Sequence, residues 1–186
     1  MDPTLVLEDL FNIVPEFDPV YVDYLIRNCV VCFHEGGHSS GVTMKLESDQ
    51  GCSEFAIQHS VVVDGILVKT YNDLSKRVDE GACALALLLA PRFCTFRSVE
   101  RSRKDNGYDY LLVDGPVDDD LPFNSSGTST RLEVSGIQIE SLHNTVAKRV
   151  STKRAVFGKF QITSGLICVI EFGVPQSRVV RYGNSA

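Results

Sequence analysis

Apolar residues recur along the chain at two spacings, one typical of helices and one typical of strands. Steps of three and four residues, the period of a helix with one buried face, predict helices over residues 4–13, 19–33 and 73–92. Asp18 is a suitable N-cap for the second of these helices, with Pro19 at its first position. The second half of the third helix is apolar on every side, which predicts burial against a sheet.

The rest of the first half has the alternating pattern of β-structure. Apolar and polar residues alternate over residues 41–49 and again over residues 53–59. Gln50-Gly51 between them suits a turn, so the two segments predict a hairpin. Residues 61–68 are predicted as a further β-prone piece that Asp64-Gly65 interrupts.

The second half predicts four strands and one more helix. In chain order these are strands 93–103, 108–113 and 131–139, helix 140–154 and strand 166–172. A polar loop with three consecutive aspartates at 118–120 joins the second strand to the third, and the end of the chain from Arg178 is predicted to be loose. The pattern predicts an α/β fold, a central mixed sheet flanked by helices, in one domain of residues 1–186. Residues 1–70 would be an N-terminal extension of helices and a β-hairpin, residues 73–172 the core and residues 173–186 a tail.

Two predicted strands each carry one acidic residue in an apolar setting. Asp109 lies between Tyr108 and Tyr110, and Glu133 lies between Leu132 and Val134. Burying two carboxylates is costly without a compensating cation. A divalent metal, for which Mg²⁺ is the usual choice at oxygen ligands, is one solution. Pairing of each acid with a base such as Arg103 or Arg131 is the purely structural alternative.

Charge and composition limit the classes of function. The chain has a net charge of −6, but residues 1–90 hold 14 acids and 5 bases whereas residues 91–186 hold 10 acids and 13 bases. An acidic first half argues against sequence-independent DNA affinity and suits a protein partner, while the basic second half suits a local nucleic-acid face. No apolar run has the length of a membrane span, and the N-terminus does not resemble a signal peptide. These features predict a cytoplasmic protein with no membrane contact, and they leave homo-oligomers open.

A string of two histidines and a glutamate matches a zinc-protease motif. His34-Glu35-Gly36-Gly37-His38 has the letters of H-E-x-x-H, which requires both histidines on one helical face. The two glycines end a helix, so the sequence favours a loop over a zinc site here, with or without Cys29 and Cys32 as further ligands. The six cysteines, without a secretory signal, predict free thiols.

The element order and the acidic residues together resemble a known nuclease core. Helix 73–92, the three strands and helix 140–154 are similar in order to the PD-(D/E)XK, or restriction-endonuclease-like, superfamily. By that resemblance Glu80, Asp109 and Glu133 would hold Mg²⁺ or Mn²⁺, and Glu133-Val134-Ser135 would stand at the family's Glu-x-Lys tripeptide. Glu100 to Lys104, Gly107 to Tyr110 and Arg131 to Ile137 also resemble strings in a set of small bacterial proteins. The resemblance leaves residues 1–70 unexplained.

The departure from the family is Ser135, which stands where the superfamily has lysine. Some members carry that lysine on a neighbouring helix, so Lys148, or less closely Lys104, would take its role beside Asp109, Glu133 and Ser135. The resemblance implies metal-dependent hydrolysis of DNA phosphodiesters in a bacterial defence or DNA-processing context, with a catalytically inactive protein-interaction module as the alternative. Phosphate contacts would then come from basic side chains of the second half: Arg101, Arg103, Lys148, Arg149, Lys153 and Arg154.

Overall fold

The chain forms an eight-stranded sheet in a computed structural model that describes residues 3–103, 106–115 and 128–183. The strands are β1 (Thr4–Val6), β2 (Val42–Ser48), β3 (Gly51–Gln58), β4 (Ser98–Arg101), β5 (Tyr110–Asp114), β6 (Thr128–Ile137), β7 (Gly165–Glu171) and β8 (Gln176–Tyr182). Their order across the sheet is β1-β3-β2-β8-β7-β6-β5-β4. The pairs β1/β3, β2/β8 and β6/β7 are parallel and the others antiparallel, which confirms the predicted α/β fold with a mixed sheet.

Helices in the described ranges begin at the caps that the sequence provides. They are α1 (Leu10–Ile13), α2 (Pro19–Glu35), α3 (Gly65–Thr70), α4 (Leu74–Leu89) and α5 (Val146–Lys159). The Asp18 side chain accepts a hydrogen bond of 2.7 Å from the Val20 backbone N–H at the start of α2, as predicted. No helix in the described ranges has the length and apolar character needed to cross a bilayer.

Strand β6 is covered on both faces, which decides where its acidic residue points. Leu132 and Val134 of β6 join the larger apolar cluster, which contains α2 and α4. Ile137 of β6 joins a smaller cluster with Val146 and Val150 of α5. Because successive side chains of a strand point to opposite faces, odd-numbered residues of β6 face α5 and even-numbered ones face α4. The two helices therefore lie on opposite sides of β6.

A glycine lets α4 approach β6 closely. A Cβ atom added to Gly136 would lie 2.3 Å from the Val78 carbonyl oxygen of α4, far inside van der Waals contact. Any other residue would push the helix away from the sheet. Gly136 thus fixes the distance between the helix and the strand on which the candidate site is built.

Three predicted segments are wrong in type. Residues 4–13 are predicted as one helix, but β1 pairs with β3 as a parallel edge strand before a 3₁₀ turn over Leu7–Asp9 and the short α1. Residues 61–68 are predicted as β-structure, but the Asp64 carboxylate accepts hydrogen bonds from Ile66 and Leu67 N–H and starts α3. The predicted tail contains β8, which lies between β2 and β7.

Other boundaries moved without changing the element type. The strand predicted over 93–103 is β4, Ser98–Arg101, after a 3₁₀ turn over Ala90–Arg92. The helix predicted over 140–154 is α5, which starts at its cap Thr145 and ends at Lys159. Lys104 and the predicted loop with aspartates at 118–120 lie outside the described residues.

Candidate functional site

Asp109 and Glu133 meet where strands β5 and β6 begin to separate. The antiparallel register pairs Tyr110 with Leu132, and Asp109 directly precedes Tyr110 while Glu133 directly follows Leu132, so the two acids are neighbours at the end of this strand pair. The Asp109 N–H donates to the Leu132 carbonyl at 2.9 Å, and the Val134 N–H donates to Asp109 Oδ2 at 2.7 Å. The predicted pairing of these two acids is therefore present, with Asp109 just before β5 rather than within it.

Burial raises the pKa of both carboxyls. Burial raises the pKa of Glu133 to about 7, and the nearby Asp109 charge adds to that rise. Burial also raises the pKa of Asp109, against the lowering effect of the Val134 N–H bond. Two neighbouring carboxylates repel each other, which favours the state in which one of them keeps its proton. A cation placed between them would reverse this preference.

Lys153 of α5 supplies the cation nearest to Glu133. Its Nζ forms an ion pair with Glu133 Oε1, and its charge opposes the rise in the Glu133 pKa. Lys148, the predicted substitute for the family lysine, lies five residues earlier on the same helix and is exposed. At 3.6 residues per turn, five residues correspond to a rotation of about 140°, so the two lysines point in different directions. The structure thus brings to the site a lysine that sequence reasoning assigned to phosphate contact.

Ser135 lies on the same face of β6 as Glu133 and is also buried. Arg149 Nη1 donates to Ser135 Oγ at 3.4 Å, and Arg149 Nε donates to Asn144 Oδ1 at 2.6 Å. At the position of the lysine in the Glu-x-Lys tripeptide of the nuclease superfamily, this chain has the Ser135 hydroxyl, and the Arg149 guanidinium lies beside it. The α5 face therefore presents two basic side chains, Lys153 and Arg149, to the strand that carries Glu133.

Glu80 is separated from this pair by its own partners. It lies on α4, where its Oε1 accepts from Arg101 Nη2 at 3.1 Å. The Tyr21 hydroxyl donates to Glu80 Oε2 at 3.2 Å and lies 3.2 Å from the Tyr110 hydroxyl. Within the ranges described, no three His, Cys, Asp or Glu side chains are grouped closely enough to hold a metal ion. The three-acid centre expected from the resemblance is replaced here by a pair.

Asp79, next to Glu80, is the acid of α4 that sequence reasoning missed. Partial desolvation raises its pKa, and the charges of Lys153, Asp109 and Arg149 act on it. Those three groups belong to the carboxylate pair and its basic surroundings, so Asp79 is within electrostatic range of the site. The sequence has two adjacent acids here, Asp79 and Glu80, and does not show which of them turns towards β6. The packing of α4 against Gly136 shows that it is Asp79.

A cleft of about 440 Å³ opens in front of Asp109 and Glu133. Its walls include Arg101, Arg103 and Tyr108, and the Arg131 guanidinium lies 5.7 Å from the centre of the Tyr108 ring. Arg101 and Arg103 were both predicted as phosphate contacts, and both line the cleft. Arg154 and Lys148 are exposed on α5 and are not among the described residues that line the cleft.

The His-Glu-x-x-His string does not lie on one helix. Helix α2 ends at Glu35, and Gly37 follows with a φ of +82°. His38 Nε2 is 2.9 Å from the Gly173 carbonyl oxygen, while His34 is exposed. The two rings are therefore not presented one turn apart, as the metalloprotease geometry requires.

Comparisons with protein-family models, with curated proteins and with solved structures found no match. The case for a function therefore depends on the geometry around Asp109 and Glu133.

Proposed function

We propose that this protein is a Mg²⁺-dependent hydrolase of DNA phosphodiester bonds. The observation that supports the proposal is the buried pair of Asp109 and Glu133, with Lys153 at Glu133, facing a cleft lined by Arg101 and Arg103. Buried acids with raised pKa values and a specific cationic neighbour are typical of functional sites. An arginine-lined cleft suits a polyanionic substrate.

The side chains fit a hard divalent cation. Val134 N–H donates to Asp109 Oδ2 and Lys153 pairs with Glu133 Oε1, while the two carboxyls also share a hydrogen bond with each other that a bound cation would replace. Mg²⁺ is commonly bound through one or two carboxylates, with water and substrate phosphate completing the octahedron, so a third acid is not required. When bound, such an ion polarises the phosphoryl oxygen and lowers the pKa of a coordinated water.

The chain's own residues would perform the remaining tasks. Lys153 favours the ionised form of Glu133, and its ammonium has further N–H donors for a water or a phosphate oxygen. Arg149, held at Ser135 and Asn144, adds positive charge beside the same strand. Arg101 and Arg103 line the mouth of the cleft, where they would hold the phosphates that flank the scissile bond.

A catalytically inactive interaction module is the second candidate. The observation in its favour is the Glu80–Arg101 ion pair. The resemblance assigned Glu80 to the metal, but its carboxylate is paired with an arginine. In that case the carboxylate pair would have a structural role, and the acidic surface of residues 1–90 would contact a partner protein. Loss of DNA cleavage in every metal condition, with partner binding retained in Asp109→Asn, would favour this function.

Cleavage of supercoiled plasmid, linear duplex and single-stranded DNA with Mg²⁺ or Mn²⁺ tests the proposal. We expect Asp109→Asn, Glu133→Gln and Lys153→Met to lower the rate by at least about a hundredfold, since each removes charge at the site. Lys148→Met is the matched control, because it removes the same charge from an exposed position of the same helix. Equal rates for the Lys153 and Lys148 variants, or no Mg²⁺-dependent cleavage by the wild type, would contradict the proposal.

A further inference from the structure

A second cleft, of about 300 Å³, lies between α2 and α4 away from the carboxylate pair. Tyr24 and Asn28 of α2 form one wall, Lys76 and Arg77 of α4 form another, and Tyr71 closes the side. Its volume is at the lower end of the roughly 300–1,000 Å³ usual for small-molecule sites. Nothing in the nuclease proposal uses these residues.

Arg77 is a buried cation with unused hydrogen-bonding capacity. Its side chain is only 6% exposed, and its Nη1 donates to the Tyr71 carbonyl at 3.0 Å. The nearest carboxylate oxygen, Glu35 Oε2, is 3.9 Å from Nη2, and Glu35 is partly exposed. Arg77 Nε has no hydrogen-bond partner in the part of the chain that the structure describes, but protein atoms enclose it. A guanidinium has five N–H donors, so the two Nη groups keep donors that an acceptor in the cleft can use.

Lys76 adds a second positive charge at the mouth of the cleft. Its Nζ lies 5.6 Å from the centre of the Tyr24 ring, a cation–π contact that keeps the exposed side chain beside the cleft. Asp73 also lines the cleft, but its Oδ1 accepts from the Lys76 backbone N–H as the cap of α4. Among the residues that line the cleft, two cations stand against one carboxylate, so the lining is positive and suits an anion; Glu35 approaches Arg77 from outside the lining.

The aromatic side chains indicate what accompanies the anion. The Tyr24 and Tyr71 rings have centroids 5.8 Å apart. Tyr24 is already flanked by Lys76 and by Tyr21, whose centroid is 6.3 Å away. Tyr71 is half-buried and lines the cleft, so its ring is the one that we assign to a further partner. A flat ring placed against Tyr71 would bring an attached anion towards Arg77, because Arg77 is bonded to the Tyr71 carbonyl.

We propose that this cleft binds a small phosphate monoester carrying a planar ring, of the size of a nucleoside monophosphate. The phosphate, with a charge of about −1.5 to −2 at neutral pH, would be bound by Arg77 and Lys76. The ring would pack against Tyr71. Binding here needs neither Asp109 nor Glu133, so the site is independent of the proposed nuclease activity.

Calorimetric titration of the full chain with adenosine 5′-monophosphate, at low salt with EDTA, tests the proposal. EDTA removes divalent ions, so the carboxylate pair cannot contribute a metal-bound phosphate. We expect saturable binding with one site per chain, and at least about tenfold weaker binding of adenosine, which lacks the charge-assisted bonds. Inorganic phosphate should also bind about tenfold more weakly, since it lacks the ring. Equal binding of phosphate and the nucleotide would overturn the assignment of Tyr71.

Variants separate this cleft from the rest of the surface. Lys76→Gln and Tyr71→Leu should each weaken binding of the nucleotide about tenfold, whereas Lys45→Gln, an exposed lysine on β2, and Asp109→Asn should leave it unchanged. Arg77→Lys keeps the charge but removes the planar fork, and should weaken binding further if it folds. Absence of nucleotide binding by the wild type, or wild-type affinity in both Lys76→Gln and Tyr71→Leu, would overturn the proposal.

Discussion

Lys153 of α5 forms an ion pair with Glu133 of β6, on the face of the sheet opposite to α4. The pair follows from strand alternation, because odd-numbered residues of β6 face α5. It gives the strand acid a nearby positive charge although Ser135, two residues later, carries none. The contact also couples the ionisation of the carboxylate pair to a single helical side chain, which makes the pH dependence of the site accessible to mutation.

Cleavage should depend on pH through Glu133. The pKa of Glu133 is about 7, so deprotonation of this carboxyl near neutral pH is required before it can bind a cation. We expect the cleavage rate to rise about tenfold per unit below pH 7 and to level off above it. Lys153→Met removes the charge that lowers this pKa, so any residual activity should have its midpoint about one unit higher or more. A pH–rate profile with Lys148→Met as control measures the shift.

Protein stability should fall as pH rises through the same range. The folded-state pKa of Glu133 is about 7, above its ordinary value of 4.5, so the folded state holds this proton more tightly than the unfolded state. The stabilising contribution is then complete below about pH 4.5 and is lost as pH rises through 7. The difference in free energy of unfolding between wild type and Glu133→Gln should therefore decrease by roughly 1–3 kcal/mol from pH 4.5 to pH 8. Urea titrations at several pH values measure it, and a pH-independent difference would contradict the raised pKa.

Glu80 and Asp109 should respond differently to loss of charge. Glu80 is held by Arg101 on the α4 side, whereas Asp109 faces Glu133. We expect Glu80→Gln to keep the cleavage rate within about threefold and to cost about 0.2–1 kcal/mol of stability, the usual contribution of a partly exposed ion pair. Asp109→Asn should abolish cleavage. Asp79→Asn tests the role of Asp79, the acid of α4 that the sequence analysis did not select. If Asp79→Asn lowers the cleavage rate more than Glu80→Gln does, Asp79 is the functional acid of α4.

Sequence patterns were sufficient where local chemistry decides the structure. The cap Asp18 fixes the start of α2, and the period-two pattern identifies the β2–β3 hairpin. The same alternation identified the neighbouring strands β5 and β6, at whose ends Asp109 and Glu133 meet. These features depend on neighbours within a few residues, and such neighbours are visible in the sequence.

Features that depend on contacts between residues far apart in the chain could not be predicted from local sequence patterns. Thr4–Val6 has a helical spacing with the residues after it, yet it is a strand because β3 offers it a parallel edge. The choice of Lys153 over Lys148 depends on where α5 starts, and α5 begins at Val146, after the cap Thr145, six residues later than the predicted position 140. The separation of Glu80 from the carboxylate pair depends on its partners Arg101 and Tyr21, which are distant from it in the chain.

The close contact of α4 with β6 should make Gly136 intolerant of a side chain. In Gly136→Ala the new Cβ would meet the Val78 carbonyl, so the helix must move or the strand must bend. We expect a loss of about 1–3 kcal/mol in the free energy of unfolding, measured by urea denaturation. Gly65→Ala is the matched control, since nothing lies within 4 Å of its added Cβ and its φ is not positive, and it should change stability by less than about 1 kcal/mol. Equal effects of the two substitutions would contradict the observed packing.

The C-terminal strand β8 should be essential to the fold. Val180 is 4% exposed and packs in the α5 cluster, and β8 joins β2 to β7 across the middle of the sheet. Val180→Asp would bury a carboxylate without a partner, so we expect a loss of about 3 kcal/mol or more. Arg178→Ser, on the same strand, removes only the partly exposed pair with Glu47 and should cost less than about 1 kcal/mol. A loose tail would tolerate both substitutions equally, so the difference in urea midpoints between the two variants decides whether β8 holds the two halves of the sheet together.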